Sequence, residues 1–332
     1  MKIVVDAMGG DFAPEQIVKG TVDAVREYDV SVILCGDEEK VGALVRAEGG
    51  QGLPIEIVHA QEVIGMGEPP VTAVRRKKNS SIVVATRLVK EGKGDAVVSA
   101  GSTGAAMAAA LFILGRIKGI DRPAIASIIP TVKGLTLLID VGANATCTPE
   151  NLYQFGMMGS IYAEKIMGIP TPRVGLLNIG EEEGKGNETV QEAYELLKNS
   201  ALNFIGNVEG RDITAGKADV IVCEGFVGNV VLKFGEGLAR DLLQMIKEEV
   251  KKDFLARLGA MLFFSRARGL RRRIDHREYG GAPLLGVDGV CIIAHGSSDR
   301  VAVKNAIRVA KECLENNVNG LIKETLMAVE QS

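Results

Sequence analysis

Histidine is scarce in this 332-residue chain, at three residues, and its five cysteines include no CxxC pair, so no paired Cys/His zinc framework can be assembled. HExxH and EF-hand patterns are missing too, and no metal site is expected. The cysteines (Cys35, Cys147, Cys223, Cys291, Cys313) are odd in number, and four lie in or beside apolar or small-residue stretches. That is the usage of buried thiols in a cytosolic protein, not of a disulfide scaffold. No GxGxxG follows an apolar run, and Gly184-Lys185 leads to Gly186 instead of the Ser or Thr of a P-loop, so no nucleotide cofactor is indicated. Repeats, low-complexity tracts and linkers are absent. Lys2 to Asp6 reads as a strand without a basic, apolar and cleavable leader before it, so secretion is not expected. The apolar stretch Ala96 to Gly115 is interrupted by Ser99, Ser102, Thr103 and glycines; it reads as strand, turn and buried helix start, not as a membrane span.

What the chain has is glycine at the ends of apolar runs. Five runs break off into glycine-rich loops holding a polar residue: DAMGGD after Ile3, SAGSTGA after Ala96, DVGAN after Leu135, NIGEEEGKGN after Val174 and EGFVGN after Val220. Short buried strands feeding helices through such turns imply an α/β protein whose ligands sit at the carboxyl ends of the strands. Glycine lets the backbone approach an oxyanion, and the following helix offers free N–H groups, so a phosphate or carboxylate ligand is expected. With 46% apolar residues the chain can bury a large core without staples.

Strand and helix signals alternate along most of the chain. Strands are expected at Lys2 to Asp6, Val30 to Cys35, Ile55 to His59, Arg173 to Ile179, Ala218 to Glu224 and Val290 to His295, and helices at Ala13 to Tyr28, Glu38 to Glu48, Ser80 to Gly92, Asn151 to Met167 and Glu188 to Lys198. Ile125 to Val132 and Leu135 to Val141 flank Lys133-Gly134, which predicts a hairpin and a mixed, mostly parallel sheet. A long helix is expected from about Asn229 to Lys252. The whole chain, 1–332, reads as one α/β/α body with a projecting helical element at about 245–275.

Charge is unevenly placed. Between Lys251 and Arg273 eight Lys/Arg stand against Asp253, a local +7 in a chain of formal charge −3. Phe254, Leu255, Leu258, Met261, Leu262 and Phe263 can share much of one helical face there, beside Arg257, Arg266, Arg268 and Arg271 to Arg273. An anionic membrane surface is the expected partner; a dimer-interface helix and an acidic protein partner compete, and nucleic acid is disfavoured because no recognition motif accompanies the patch.

Several loop residues have both a structural and a chemical use. Lys185 can neutralise an oxyanion before a helix capped by Asn187, or it can balance Glu181, Glu182 and Glu183. Asn229 can act chemically or cap its helix. Asp6, Asp11, Asp140 and Asn144 are turn or cap residues that recur at strand ends. His295 lies in AHGSS and, with Ser297 and Ser298, can line the same face; a Cys223–His295 nucleophile pair is a weaker alternative, lacking any thiol-enzyme signature.

Nine blocks in order, DAMGGD (6–11), RRKKNSS (75–81), SAGSTGA (99–105), GRIKGIDRP (115–123), DVGAN (140–144), KGNE (185–188), GFVGN (225–229), YGGAPLLG (279–286) and HGSS (295–298), resemble the phosphate acyltransferase family of bacterial phospholipid synthesis. Ser102 stands where that family commonly has Asn. The resemblance implies transfer of a fatty acyl group from acyl carrier protein to inorganic phosphate, giving acyl phosphate without a cofactor. It implies a fold like those of phosphotransacetylases and isopropylmalate-type dehydrogenases, and a cytoplasmic homodimer at the inner face of the membrane, where a membrane glycerol-3-phosphate acyltransferase consumes the product. By motif it places catalysis on Lys185 and Asn229. Phosphate and substrate contacts are expected from Asp6, Gly9, Gly10, Asp11, Gly101, Ser102, Thr103, Gly104, Asp140, Asn144, Gly228, His295 and Ser297. A phosphotransacetylase acting on acyl-CoA, a dehydrogenase of the related fold and a membrane-associated scaffold are the competing readings.

Overall fold

The computed structural model describes residues 1–266 and 276–330; Arg268 and Arg271 to Arg273 of the basic segment lie outside them. The strands are β1 (Lys2–Asp6), β2 (Ser31–Gly36), β3 (Ile55–His59), β4 (Ala96–Ser99), β5 (Ala124–Thr131), β6 (Gly134–Ile139), β7 (Val174–Leu177), β8 (Phe204–Val208), β9 (Val220–Val222), β10 (Ala282–Leu285) and β11 (Val290–Ile293). They form one 11-stranded sheet in the order β3-β2-β1-β4-β11-β10-β5-β6-β9-β7-β8. The helices are α1 (Glu15–Tyr28), α2 (Glu38–Ala47), α3 (Pro70–Arg76), α4 (Ser81–Lys90), α5 (Thr103–Ala109, continued by a wider turn Ala110–Leu114), α6 (Pro149–Lys165), α7 (Glu188–Lys198), α8 (Gly210–Ala215), α9 (Gly225–Lys252), α10 (Phe254–Arg266), α11 (Arg300–Glu315) and α12 (Val318–Glu330).

Both faces of the sheet are covered, and the strand period of two sorts side chains between them. Ile3 and Val5 face the layer that holds Ile17 of α1 and Val303 of α11 and that continues to Phe155 of α6, while Val4 points the other way, into the layer of Ile82 of α4 and Ala109 of α5. The result is the expected three-layer α/β/α fold.

The expected hairpin forms, with Thr131 paired to Gly134. Strand β11 is parallel to β4, but β11–β10, β10–β5 and β5–β6 are three successive antiparallel pairs. Strands β9 and β7 then follow β6 in parallel. An odd number of reversals means that β1, β4 and β11 end at one edge of the sheet while β6, β7 and β9 end at the other.

Helix α9 starts four residues before the expected Asn229, because Glu224 caps it: its carboxylate accepts the N–H groups of Phe226 and Val227 at 2.9 and 3.3 Å. Its last residues packed on the core are Val231 and Leu232, and from Leu238 to Glu249 every residue is exposed. The projection therefore begins well before the expected residue 245. No helix among the described residues is long and apolar enough to cross a membrane.

Candidate active site

The loops read from the sequence fall into two groups, one at each edge, and no hydrogen bond among the described residues joins them. At the first edge Asp6 is buried, and its carboxylate accepts the Ser99 hydroxyl at 2.7 Å and the Met8 N–H at 3.2 Å. Burial raises its pKa, partly offset by the Ser81 and Ser99 hydroxyls. The Gly101 N–H donates to Ser99 Oγ at 3.1 Å, and a Cβ at Gly9 would strike the Asp6 carboxylate and the Gly101 backbone. Gly10 packs against the Ala100 and Gly296 carbonyls, and the Asp11 N–H donates to Gly296. Ser102 caps α5 by accepting the Ala105 N–H, Thr103 is exposed, and Gly104 allows α5 to meet Pro70 of α3. His295 Nδ1 lies 2.7 Å from Ser297 Oγ. His295 and Ser297 thus line the face of β1 and β4, not that of Lys185 and Asn229. Cys223 follows β9 at the opposite edge from His295, which removes the alternative of a Cys223–His295 nucleophile pair.

At the second edge the turn DVGAN is wound around Asp140. Its Oδ1 accepts the N–H groups of Ile125, Gly142 and Ala143 at 2.9–3.1 Å, and its Oδ2 accepts the Asn144 backbone N–H at 2.7 Å and side-chain amide at 2.9 Å. Burial pushes this carboxyl above the usual aspartate range while the N–H donors pull it back. The Asn144 amide also donates to the Pro123 carbonyl, and the Gly225 N–H donates to the Asn144 carbonyl, so the turn is tied to the start of α9. A Cβ at Gly225 would meet the Asn144 backbone and Asp140 Oδ2 at 2.7 Å, and one at Gly228 would overlap the Asp140 carbonyl. The spacing of the two glycines in GFVGN puts both on the helix face that presses on this turn. Asp140 and Gly228 accordingly position the loop.

Asn229, one residue further on, is half-buried and makes no side-chain hydrogen bond among the described residues. It is not a cap, since Glu224 has that role. A Cβ built on Gly142 would sit 3.7 Å from Asn229 Cβ and Cγ, so its amide borders the DVGAN turn.

The loop after β7 is stitched by Asn178, whose amide donates to the Lys185 carbonyl at 3.0 Å, and by Gln191, which donates to the Gly184 and Gly186 carbonyls. Gly186 has φ +90°, and a Cβ there would fall 2.8 Å from Asn178 Oδ1. Asn187 caps α7 as expected, accepting the Val190 N–H at 3.0 Å. Glu181 pairs with Lys217 at 2.7 Å and Glu183 with Lys198 at 3.0 Å. The charge-balancing alternative for Lys185 therefore loses two of its three glutamates to other lysines. Among the described residues the Lys185 ammonium is exposed and unpaired, in the loop after β7, the strand next to the β9 that leads to Asn229.

Beside the DVGAN turn opens a cleft of about 710 Å³, lined among others by Met107, Leu111, Arg116, Arg122, Asn144 and Thr146. The arginines were not singled out from the sequence: they stand in the block GRIKGIDRP, and only the folding of that block against DVGAN gives them a place. Cys147, also on the cleft, has its thiol pushed up to about 12 by burial and by the nearby Asp140 charge, so it is inert as a nucleophile near neutral pH. Among the described residues no group of three His, Cys, Asp or Glu could hold a metal ion.

The model of a family described as "Fatty acid synthesis protein" matches residues 1–321. A phosphate acyltransferase of Pelotomaculum thermopropionicum is 58% identical over 330 residues, covering 99% of this chain and 96% of that protein. One of Heliobacterium modesticaldum is 59% identical, covering 98% and 97%. Among solved structures, a phosphotransacetylase from Streptococcus pyogenes matches with a TM-score of 0.65 at 20% identity, over 95% of this chain and 94% of that one. The EutD phosphotransacetylase from Staphylococcus aureus matches at 0.61 and 19% identity, over 94% of each chain. A 4-hydroxythreonine-4-phosphate dehydrogenase from Klebsiella pneumoniae follows at 0.52 and 13% identity. At these identities the structural likeness concerns the fold alone.

Proposed function

This chain belongs to the phosphate acyltransferase family, enzymes that transfer an acyl group to phosphate in fatty acid and phospholipid synthesis, and we propose that its donor is a fatty acyl thioester of acyl carrier protein. The observation that carries the reading is a pair of polar groups at the second edge that have no partner among the described residues: the ammonium of Lys185, on the loop stitched by Asn178, and the amide of Asn229, in the first turns of α9 beside the DVGAN turn.

Inorganic phosphate is anionic and nucleophilic near pH 7, and a thiolate leaves readily. The reaction therefore needs neither a strong base nor a covalent enzyme intermediate. A phosphate oxygen attacks the thioester carbonyl, the C–O bond forms, the C–S bond breaks, and the departing thiolate takes a proton from water. The protein's share is to hold phosphate in line and to stabilise charge on the carbonyl oxygen. Lys185 supplies the fixed cation and Asn229 an N–H donor. Asp140, Asn144, Gly225 and Gly228 hold the DVGAN turn against the start of α9, which carries Asn229, while the first-edge loops of Asp6, Gly9 to Asp11, Gly101 to Gly104, His295 and Ser297 form a second polar surface for substrate.

The chain acts as a single domain from which α9 and α10 project, and it works as a homodimer. Along α9, Phe226, Val230, Phe234, Leu238, Leu242 and Met245 recur at steps of four or three and are all exposed, Phe234 to 68%. A stripe of that length, on a helix of about 42 Å, suits pairing with the same helix of a second copy. Helix α10 faces the inner surface of the membrane, where a glycerol-3-phosphate acyltransferase takes the product.

The test is phosphate-dependent release of free carrier from purified acyl carrier protein conjugates, run beside acyl-CoA, without metal or nucleotide. Acyl phosphate from the carrier-bound donor is expected. Strict dependence on CoA thioesters, magnesium or a nicotinamide would overturn the reading.

A further inference from the structure

We propose that the cleft beside the DVGAN turn holds the phosphopantetheine arm on which the donor thioester hangs, with Arg122 and Arg116 binding its phosphate. The inference rests on the acyl-thioester reading above and adds where and how the arm is held.

The cleft, at about 710 Å³, is within the range of small-molecule sites. Its lining is mixed. Met107, Leu111 and Pro123 are apolar, while Asn144 and Thr146 are polar. An acyl chain placed there would strip water from those polar groups without replacing their hydrogen bonds. An arm that alternates methylenes with amides matches both kinds of lining.

The arginines give the cleft a direction. Arg122 is exposed and has no hydrogen bond or ion pair among the described residues, and Arg116 donates through Nη1 to the Asp121 carbonyl, which holds its guanidinium in the same wall. Asp121 lines the same cleft, but among the described residues its carboxylate is bonded to neither guanidinium, so both remain available to a phosphate ester. From them the lining runs to Ala143 and Asn144, and Gly142 of the same turn borders Asn229. An arm with its phosphate on the arginines is thereby directed, sulfur end first, toward the amide assigned to the oxyanion.

Carrier protein and coenzyme A share this arm, so the test separates the arm from what it is attached to. Arg122→Glu and Arg116→Glu are compared with the native enzyme using acyl carrier protein, acyl-CoA, and an acyl-pantetheine lacking the phosphate. The expected result is a KM at least ten-fold higher for a phosphate-bearing donor, with kcat, the KM for inorganic phosphate, and kcat/KM for acyl-pantetheine within two-fold of native. Equal losses on all donors, or a raised KM for inorganic phosphate alone, overturn the proposal. Should the variants fold poorly, the native enzyme decides: phosphopantetheine should inhibit at least ten-fold better than pantetheine, and equal inhibition overturns it. A native enzyme that forms no acyl phosphate from any thioester refutes the functional reading, a result distinct from loss of phosphate discrimination.

Discussion

The Asn144 backbone N–H donates to Asp140 Oδ2 at 2.7 Å while the Asn144 carbonyl accepts the Gly225 N–H at 2.7 Å, so one residue couples the buried carboxylate to the first turn of α9. Asp140→Asn keeps the shape but turns an NH2 toward N–H donors. It is expected to destabilise the fold by about 1–3 kcal/mol, the cost of leaving buried groups unsatisfied. Gly228→Ala should be at least as damaging, since its methyl group would overlap the Asp140 carbonyl. Urea unfolding measures both, and native stability in either variant would show that the coupling is not needed.

Lys185→Ala and Asn229→Ala are expected to act on rate and not on stability. Neither side chain holds the fold together: Lys185 has no ion pair and Asn229 is not the cap of α9. Loss of one donor to a developing oxyanion typically costs on the order of a hundred-fold in rate. Steady-state turnover together with a melting curve checks this. Near-normal turnover, or unfolding, would remove these residues from the chemistry.

The sequence carried the α/β alternation, the hairpin at Lys133-Gly134 and the helix cap at Asn187, because each rests on local patterns of apolar spacing and turn residues. It did not carry the direction of the strands. Whether His295 and Lys185 face the same way depends on the three antiparallel pairs β11–β10–β5–β6, set by contacts between segments as far apart as residues 125 and 284. The short helices α3 and α8 were not read, being too brief for a helical period to show. Glu224 gave no signal as a cap because Asn229, five residues on, is the stronger capping residue type, and the arginines of the cleft gave no local signal.

Strands β7 and β9, which lead to Lys185 and Asn229, are clamped at their starts by Arg173 and Asp219. The Arg173 side chain donates to the Asp219 carboxylate at 2.8 and 3.0 Å and its backbone N–H at 2.9 Å. Burial alone would raise this carboxyl, but the Arg173 bonds and charge bring it below the ordinary value near 3.8. A depressed carboxyl contributes stability that is present above the unfolded value and is lost as pH falls through the folded one. Arg173 is partly exposed, so solvent screening keeps the contribution to about 1 kcal/mol. Asp219→Asn should therefore be less stable than the native chain at pH 7 by about that amount, and the gap should close only below about pH 3.8. A gap that is the same at pH 3 and pH 7 would deny the ion pair its role.

Helix α10 is expected to dock on anionic membrane. Phe254, Leu255, Leu258, Met261 and Leu262 fall within an arc of about 120° on the helix, whereas Phe263 lies outside it, a correction to the six-residue face read from the sequence. All five are exposed, Phe254 and Leu255 to 73%, with Arg257 on the same helix and Lys251 and Lys252 just before it. Each basic residue near an anionic leaflet contributes about 1 kcal/mol, and the apolar face adds burial, enough together for reversible binding. Leu255→Glu combined with Leu258→Glu should abolish sedimentation with vesicles of phosphatidylglycerol and phosphatidylcholine. Soluble activity and the dimer should persist, because the stripe assigned to dimerisation lies on α9 from Phe226 to Met245. Loss of the dimer on this double substitution would reassign α10 to the interface between copies. Unchanged vesicle binding would move the membrane contact elsewhere on the chain.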